Sequence, residues 1–415
     1  MARPKKANPA LAALRSVGLI RIIAFSILGL IGAWFATTLA LSGVTRIKAP
    51  QSALLFMPRE STALAARADL IFFANPQQPP EAVRMLSLAA LREQAINPRA
   101  LRLLGYYADV EGDSATAEKF IRMAQRLSRR DAATQLWLIE AYARENDTKQ
   151  TLVHYDIALR TKPDTQTILF PRLLNAIEDE DIRTALKPYI RAENGWGGSF
   201  LFYANANSKN LPALTDLVVE TGGLVDPKAA KNQEQGLLSR LVSEKYFADA
   251  KRLFLQMSGA KPARMTSAAF DPSDRDARFG AMGWQLIDDP DAGGGFTGKA
   301  ADRQIALSLF ANSGTTRPVA TKLLYLNPGS YMFSARLAHL DRGDGGFLRW
   351  QLSCPSDASG APLWMIDSIN ASLRATFSIP ANCPVQFLDL IASGGKGQTG
   401  LEATVAAISV ASTAK

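Results

Sequence analysis

Residues 98–131 read PRALRLLGYYADVEGDSATAEKFIRMAQRLSRRD, and residues 132–165 read AATQLWLIEAYARENDTKQTLVHYDIALRTKPDT. In the first stretch Leu101, Leu104, Gly105 and Ala108 are followed by Ala117, Ile121 and Ala124, at helical spacing. A step of 34 residues lands on Gln135, Leu138, Ile139 and Tyr142, then on Thr151, Tyr155 and Ala158, with Pro163 closing the unit. The loop Glu111, Gly112, Asp113 recurs as Glu145, Asn146, Asp147. Another step gives Leu169, Leu173 and Ala176, then Ala185, Tyr189 and Ala192, and a later unit restores Leu237, Leu238, Leu241, Ala250, Phe254, Met257 and Pro262. A helical period inside each stretch and a fixed period between them predict helix pairs that stack. One pair cannot bury its apolar face, whereas several make a continuous core, so an α-solenoid is expected over 61–265. Its concave surface would hold a peptide or protein partner. A helix over 81–95 is expected as a leading cap, and 200–230 is too short for a full unit. Trp196, in a Gly-rich loop, is either a plug for that irregular unit or an exposed contact.

Upstream lies an uncharged run, IIAFSILGLIGAWFATTLALS, over 22–42. Its 21 residues span roughly 30 Å as a helix, the thickness of a bilayer core. Arg3, Lys5, Lys6, Arg15 and Arg21 precede it without an acid, while Arg46, Lys48 and Arg59 follow more sparsely. The positive-inside bias then puts 1–21 in the cytoplasm as a basic tail and sends the body across, through a linker over 43–60. A cleaved signal peptide is the alternative, with Ala40, Leu41 and Ser42 as the small-residue site, although the run exceeds a usual signal core. Gly29 and Ala33 could pack two such helices together. The net charge of +9 belongs to this end of the chain: residues 1–48 hold seven Lys/Arg and no acid, and the rest is close to neutral. That leaves no stripe for phosphates, and no nucleic-acid partner is expected.

From about Phe270 the period falls from 3.6 to 2 and turn residues crowd in. Strands are predicted at 281–287, 304–310, 321–326, 329–337, 347–354, 373–379, 385–392 and 402–410. Such short, punctuated strands imply a two-sheet β-sandwich of jelly-roll type over 270–412. Trp350 and Tyr331 alternate with apolar neighbours and read as core. Cys354 and Cys383, each just before a proline, are the only cysteines. In an oxidising compartment they pair as a disulfide; two buried thiols are the other reading. Anchor and cysteines together point to a single-pass protein of the bacterial inner membrane with a periplasmic body.

The 34-residue phasing resembles the tetratricopeptide repeat family, with Leu101, Gln135, Leu169 and Glu234 in place of its early tryptophan. The β region resembles carbohydrate-binding-type jelly rolls. More narrowly, it is similar to the C-terminal domain of membrane-anchored tetratricopeptide proteins found with bacterial exopolysaccharide assembly systems. The segments that carry this are Met282-Gly283-Trp284-Gln285, Leu326-Asn327-Pro328-Gly329-Ser330-Tyr331, Gly345-Gly346-Phe347-Leu348-Arg349-Trp350 and Phe377-Ser378-Ile379-Pro380 with Cys383. The resemblance implies an accessory role in envelope polysaccharide assembly.

Catalytic signatures are scarce. There are two histidines, His154 on a repeat helix and His339 after a strand, and neither has a partner at metal-ligand spacing. Both are expected at the surface or lightly packed. No nucleophile elbow, phosphate loop or dinucleotide fingerprint occurs. The chain is therefore not expected to be an enzyme, and no cofactor is required. The acidic run Glu178, Asp179, Glu180, Asp181 reads as a solvated turn. Asp288, Asp289 and Asp291, with Asp341 and Asp344, lie in sandwich loops where oxygen ligands would suit a calcium ion. Flat aromatic rings stack on the C–H faces of sugars, so Trp364, Trp284 and Tyr325 are the candidate glycan contacts. The resulting expectation is a non-catalytic membrane-anchored scaffold that holds envelope proteins by its repeats, glycan by its sandwich and lipid by 22–42. A general envelope scaffold without glycan binding is the alternative, and a glycan-active enzyme a third.

Overall fold

A computed structural model describes residues 9–193, 195–222, 227–276, 279–298, 305–355, 357 and 360–413. Arg3, Lys5 and Lys6 of the basic flank and Gln304 of a predicted strand lie outside them. The chain divides into two compact units, Met1–Gln166 and Thr167–Lys415.

The first unit begins with α1, Pro9–Thr45, whose part Arg21–Thr45 is 25 residues long with a mean hydropathy of 2.0. Its apolar side chains face outward, so it is one helix long and apolar enough to cross a membrane. Next come α2 (Pro50–Phe56), α3 (Ser61–Ala74), α4 (Glu81–Glu93), α5 (Pro98–Val110), α6 (Ser114–Leu127), α7 (Ala132–Arg144) and α8 (Thr148–Thr161). The stretch expected as a linker thus contains α2, docked through buried Pro50 and Ala53. The helix expected as a leading cap is α4, and it pairs with α3. The repeated loop explains itself: Gly112 and Asn146 take left-handed backbone, with φ of 84° and 58°. Asp113 and Asp147 then cap the next helix by accepting from Thr116 N at 3.0 Å and Gln150 N at 2.9 Å. Where α5 crosses α6, Gly105 lies so close that a Cβ there would sit 2.7 Å from Ile121 Cγ1.

Two polar networks are buried in this unit. Arg102, 2% exposed, bridges Asp69 and Asp131 at 3.0 and 2.8 Å. His154 is 3% exposed, and its Nδ1 lies 2.7 Å from Gln135 Oε1. Gln135 Nε2 donates to the Arg129 carbonyl at 3.1 Å, which fixes the amide and leaves the Nδ1 proton on the imidazole. The expected lightly packed histidine is therefore a core residue, stacked on Tyr142.

The second unit opens with α9 (Gln166–Ala176), α10 (Glu180–Arg191), α11 (Gly197–Asn207), α12 (Leu211–Thr221), α13 (Pro227–Ser243) and α14 (Phe247–Gln256). Along the chain α5, α7 and α9 start at 98, 132 and 166. The short stretch near 200–230 accommodates α11 and α12 at 11 residues each. Trp196 is the plug, buried against Phe170, Tyr189 and Phe200. The acidic run is an exposed turn whose Asp179 caps α10.

Among the described residues ten strands follow: β1 (Gln285–Leu286), β2 (Ala292–Thr297), β3 (Ala306–Ala311), β4 (Thr316–Leu324), β5 (Gly329–Asp341), β6 (Phe347–Ser353), β7 (Pro362–Asp367), β8 (Ser372–Ile379), β9 (Gln386–Ser393) and β10 (Leu401–Ser412). They form two five-stranded antiparallel sheets, β1-β4-β9-β6-β7 and β2-β3-β10-β5-β8. Leu307, Leu309, Phe333, Trp350, Leu390 and Val405 fill the sandwich between them. Differences from the sequence reading have local causes. β2 runs through Gly293, Gly294 and Gly295, which read as a turn. β4 starts five residues early because Pro318 sits at a register shift rather than ending the strand. Gly280–Met282 is a 3-10 turn, so only two residues of the strand expected at 281–287 pair as β1. Cys354 and Cys383 are disulfide-bonded, with Cα atoms 5.8 Å apart.

Within this unit α14 is bolted to the first sheet. Tyr325 donates its hydroxyl to the Phe247 carbonyl at 2.9 Å, and Phe247 meets Phe387 edge to face. The connecting segment folds back over the end of the core, where Arg264 pairs with Asp271 and Asp274. Lys322 of β4 is buried beside them, and burial, partly offset by Asp274, holds its ammonium down at about 8.

Candidate functional site

The second sheet keeps one face for the core and turns the other to solvent. Alternation along its strands sends Leu307, Leu309, Leu401, Ala403 and Leu337 inward. The residues between them point out, and the register lines them up across strands. One row runs Gly295, Ser308, Thr404, His339; the next runs Gly293, Phe310, Glu402, Asp341. Asp288 joins from the loop before β2 through a bridge to Gly293.

On this face lies an open cleft of about 460 Å³, bounded by Asp288, Gly294, Gly295, Ser308, Phe310, His339, Glu402 and Thr404. Its shape has two local origins. Gly295 of β2 leaves its part of the floor bare, since a Cβ there would meet nothing within 4 Å. Beside Thr404, β10 changes register twice, and such irregularities bend a strand and re-aim its side chains. The lining offers hydroxyl, imidazole and carboxylate groups on one partly exposed phenyl ring. That set can accept and donate hydrogen bonds around a polar ligand while an apolar patch rests on Phe310. Ser308 and His339 stand on β3 and β5 with β10 between, about 10 Å apart at the usual strand spacing.

The aromatic residues singled out from sequence lie elsewhere. Trp284 is 1% exposed, and its indole N–H donates to the Ala268 carbonyl at 2.8 Å. It packs edge to face on Trp350, so it is core and no glycan contact. Tyr325 spends its hydroxyl on the α14 joint, with Lys251 over its ring. Trp364 is half-buried between the sheets, its ring 5.1 Å from Phe333 and 5.4 Å from Phe377.

Nor do the loop carboxylates converge as a calcium site. Asp289 accepts from Arg317 Nη1 at 2.6 Å, and Asp291 lies 3.4 Å from the Asn312 amide. Asp341 accepts from Gly343 N at 3.0 Å, inside its own turn, and Asp344 packs against Gly397. Among the described residues no group of three or more His, Cys, Asp or Glu is placed to hold a metal ion. On the opposite sheet the Asp389 carboxyl is pushed above the usual range by burial, with Thr321 opposing through a hydrogen bond. It is remote from the cleft sheet.

Phe310, Glu402 and Thr404 were missed because nothing in their local sequence marks them. They meet only through the pairing of β3 with β10, some 95 residues apart in the chain.

No family model and no curated protein matches the sequence. Among solved structures, the chain is similar to the carbohydrate-binding module TmCBM61, solved in complex with beta-1,4-galactotriose. Identity there is 12%, over 31% of this chain and 88% of that one, with a TM-score of 0.23. A carbohydrate-binding module of family 4 matches at 11% identity, over 36% of this chain and 88% of that one, with a TM-score of 0.22. The sandwich itself rests on the strand pairing described above.

Proposed function

We propose that this protein is a non-catalytic, membrane-anchored binding protein of the bacterial envelope. Its sandwich takes a glycan segment in the cleft of the β2-β3-β10-β5 face, and its helix pairs, of tetratricopeptide type, hold a protein partner. The observation that carries the reading is the cleft. Ser308, Thr404, His339, Glu402 and Asp288 supply hydrogen-bonding groups along one lining, while Phe310 offers apolar surface and Gly295 a bare stretch of backbone. The disulfide and the basic flank before α1 support a location outside the cytosol, in the periplasm. The resemblance to exopolysaccharide-associated proteins gives the finer proposal, an accessory role in polysaccharide assembly.

A glycan array probed with the full chain in detergent tests it. Wild type should bind a restricted set of polysaccharides, and Gly295→Trp, which fills the open space over β2, should lose that binding with its melting curve unchanged. A blank array contradicts glycan binding. It would favour a protein-only envelope scaffold. Release of reducing ends from a bound polysaccharide would contradict the non-catalytic assignment.

A further inference from the structure

The end of α1 is joined to the first helical unit without slack. Arg46 N donates to Ser42 O and Ala49 N to Thr45 O, at 2.9 and 2.8 Å, so the chain keeps turning as it leaves the helix. α2 then begins at Pro50 and packs against both α1 and α3. Arg46 comes within 3.9 Å of Glu60, which caps α3.

Large apolar side chains are exposed elsewhere in the unit too, Leu70, Phe73 and Ile96 among them, but this short segment carries its own next to the end of α1. α2 buries Pro50 and Ala53 but leaves Leu55 82% and Phe56 42% exposed. The last turn of α1 leaves Val44 79% exposed, and the connection to α2 leaves Ile47 55% exposed. Lys48 is exposed between them, and the side chain of Arg59 is 86% exposed just after them. Apolar side chains beside solvated cations are what a bilayer interface selects: rings and branched chains enter the acyl boundary while cations stay at the phosphates.

Helix length fixes the level. The 25 residues of Arg21–Thr45 extend about 37 Å, whereas the hydrocarbon core takes only about 30 Å. With the uncharged run 22–42 filling that core, Val44 and Thr45 fall at the headgroups, just before Arg46 and Lys48. Only four residues separate α1 from α2, a reach of at most about 14 Å.

We propose that Val44, Ile47, Leu55 and Phe56 form a lipid-seated collar, with Lys48 and Arg59 at anionic headgroups, that holds the first helical unit directly on the membrane. The proposal rests on reading α1 as a retained span. Each cation at an anionic surface should strengthen the seat about fivefold. A long flexible tether would let the unit drift; a collar fixes which of its faces a partner can reach.

The test uses the full chain in vesicles of phosphatidylcholine and phosphatidylglycerol. Single variants Phe35→Cys, Leu55→Cys and Met123→Cys, in α1, α2 and α6, carry an environment-sensitive fluorophore, with the native disulfide kept oxidised. Vesicles with brominated acyl chains then quench any label that meets lipid. Labels at positions 35 and 55 should each lose at least about half their emission, and the label at 123 should lose none. Quenching at 35 with none at 55 overturns the collar and leaves the anchor standing. Absence of quenching at 35 overturns the anchor, and the collar with it.

Discussion

His154 shows how far a single residue departs from what its neighbours in sequence suggest. It follows the helical period of α8 and could have faced solvent. In the structure Gln135, at a position where the repeat pattern prefers a large apolar residue, makes a polar partner for it. Burial, with Arg122 adding to it, holds the imidazole down at about 4. The unfolded chain takes up a proton below about pH 6.5 that the folded chain refuses. The stability contributed by neutral His154 is therefore complete above that pH and is lost as pH falls toward about 4. Thermal melts of the helical signal should drop across that window, and His154→Leu should flatten the drop while lowering the melt at neutral pH. The tryptophans teach the complementary lesson. An isolated Trp reads equally well as ligand platform or as core, and what packs Trp284 and Trp364, Ala268 and Phe333, lies 16 and 31 residues away in the chain.

Elements were most legible where a local signal had no competitor. The helices from α5 to α10 announce themselves through caps and period, and β5, β6, β8 and β9 through alternation. β2 was hidden because three consecutive glycines mark a turn unless a cleft must be left open above them. β7 was hidden by its brevity and by Pro362 at its start. Gly105 is the reverse case, a glycine whose reason is a crossing helix. Gly105→Val would drive a branched side chain into Ile121 and the Ala117 carbonyl. It should cost roughly 1–3 kcal/mol in denaturant melts, because overpacking a close helix crossing moves backbone. Cys354 and Cys383 tie the end of β6 to the approach to β9 over 29 residues. Reduction should destabilise the sandwich by about 3–4 kcal/mol on the chain-entropy account, seen as a lowered melting temperature of its β signal. An unchanged melt after verified reduction would contradict that.

At the scale of the whole chain, the order of parts was readable: an apolar helix, helix pairs, then a sandwich. The cleft was not, because it belongs to no segment and is made only when β2, β3, β10 and β5 align. The disulfide favours a folded body outside the cytosol, and the proposed lipid collar requires that α1 remain uncut. Protease treatment of intact spheroplasts, with an epitope appended after Lys415, measures this directly. The account predicts that the epitope is destroyed without lysis while a fragment containing residues 22–42 stays in the membrane pellet. An epitope protected until the cells are lysed, or a mature chain whose first residue is Gly43, would contradict it.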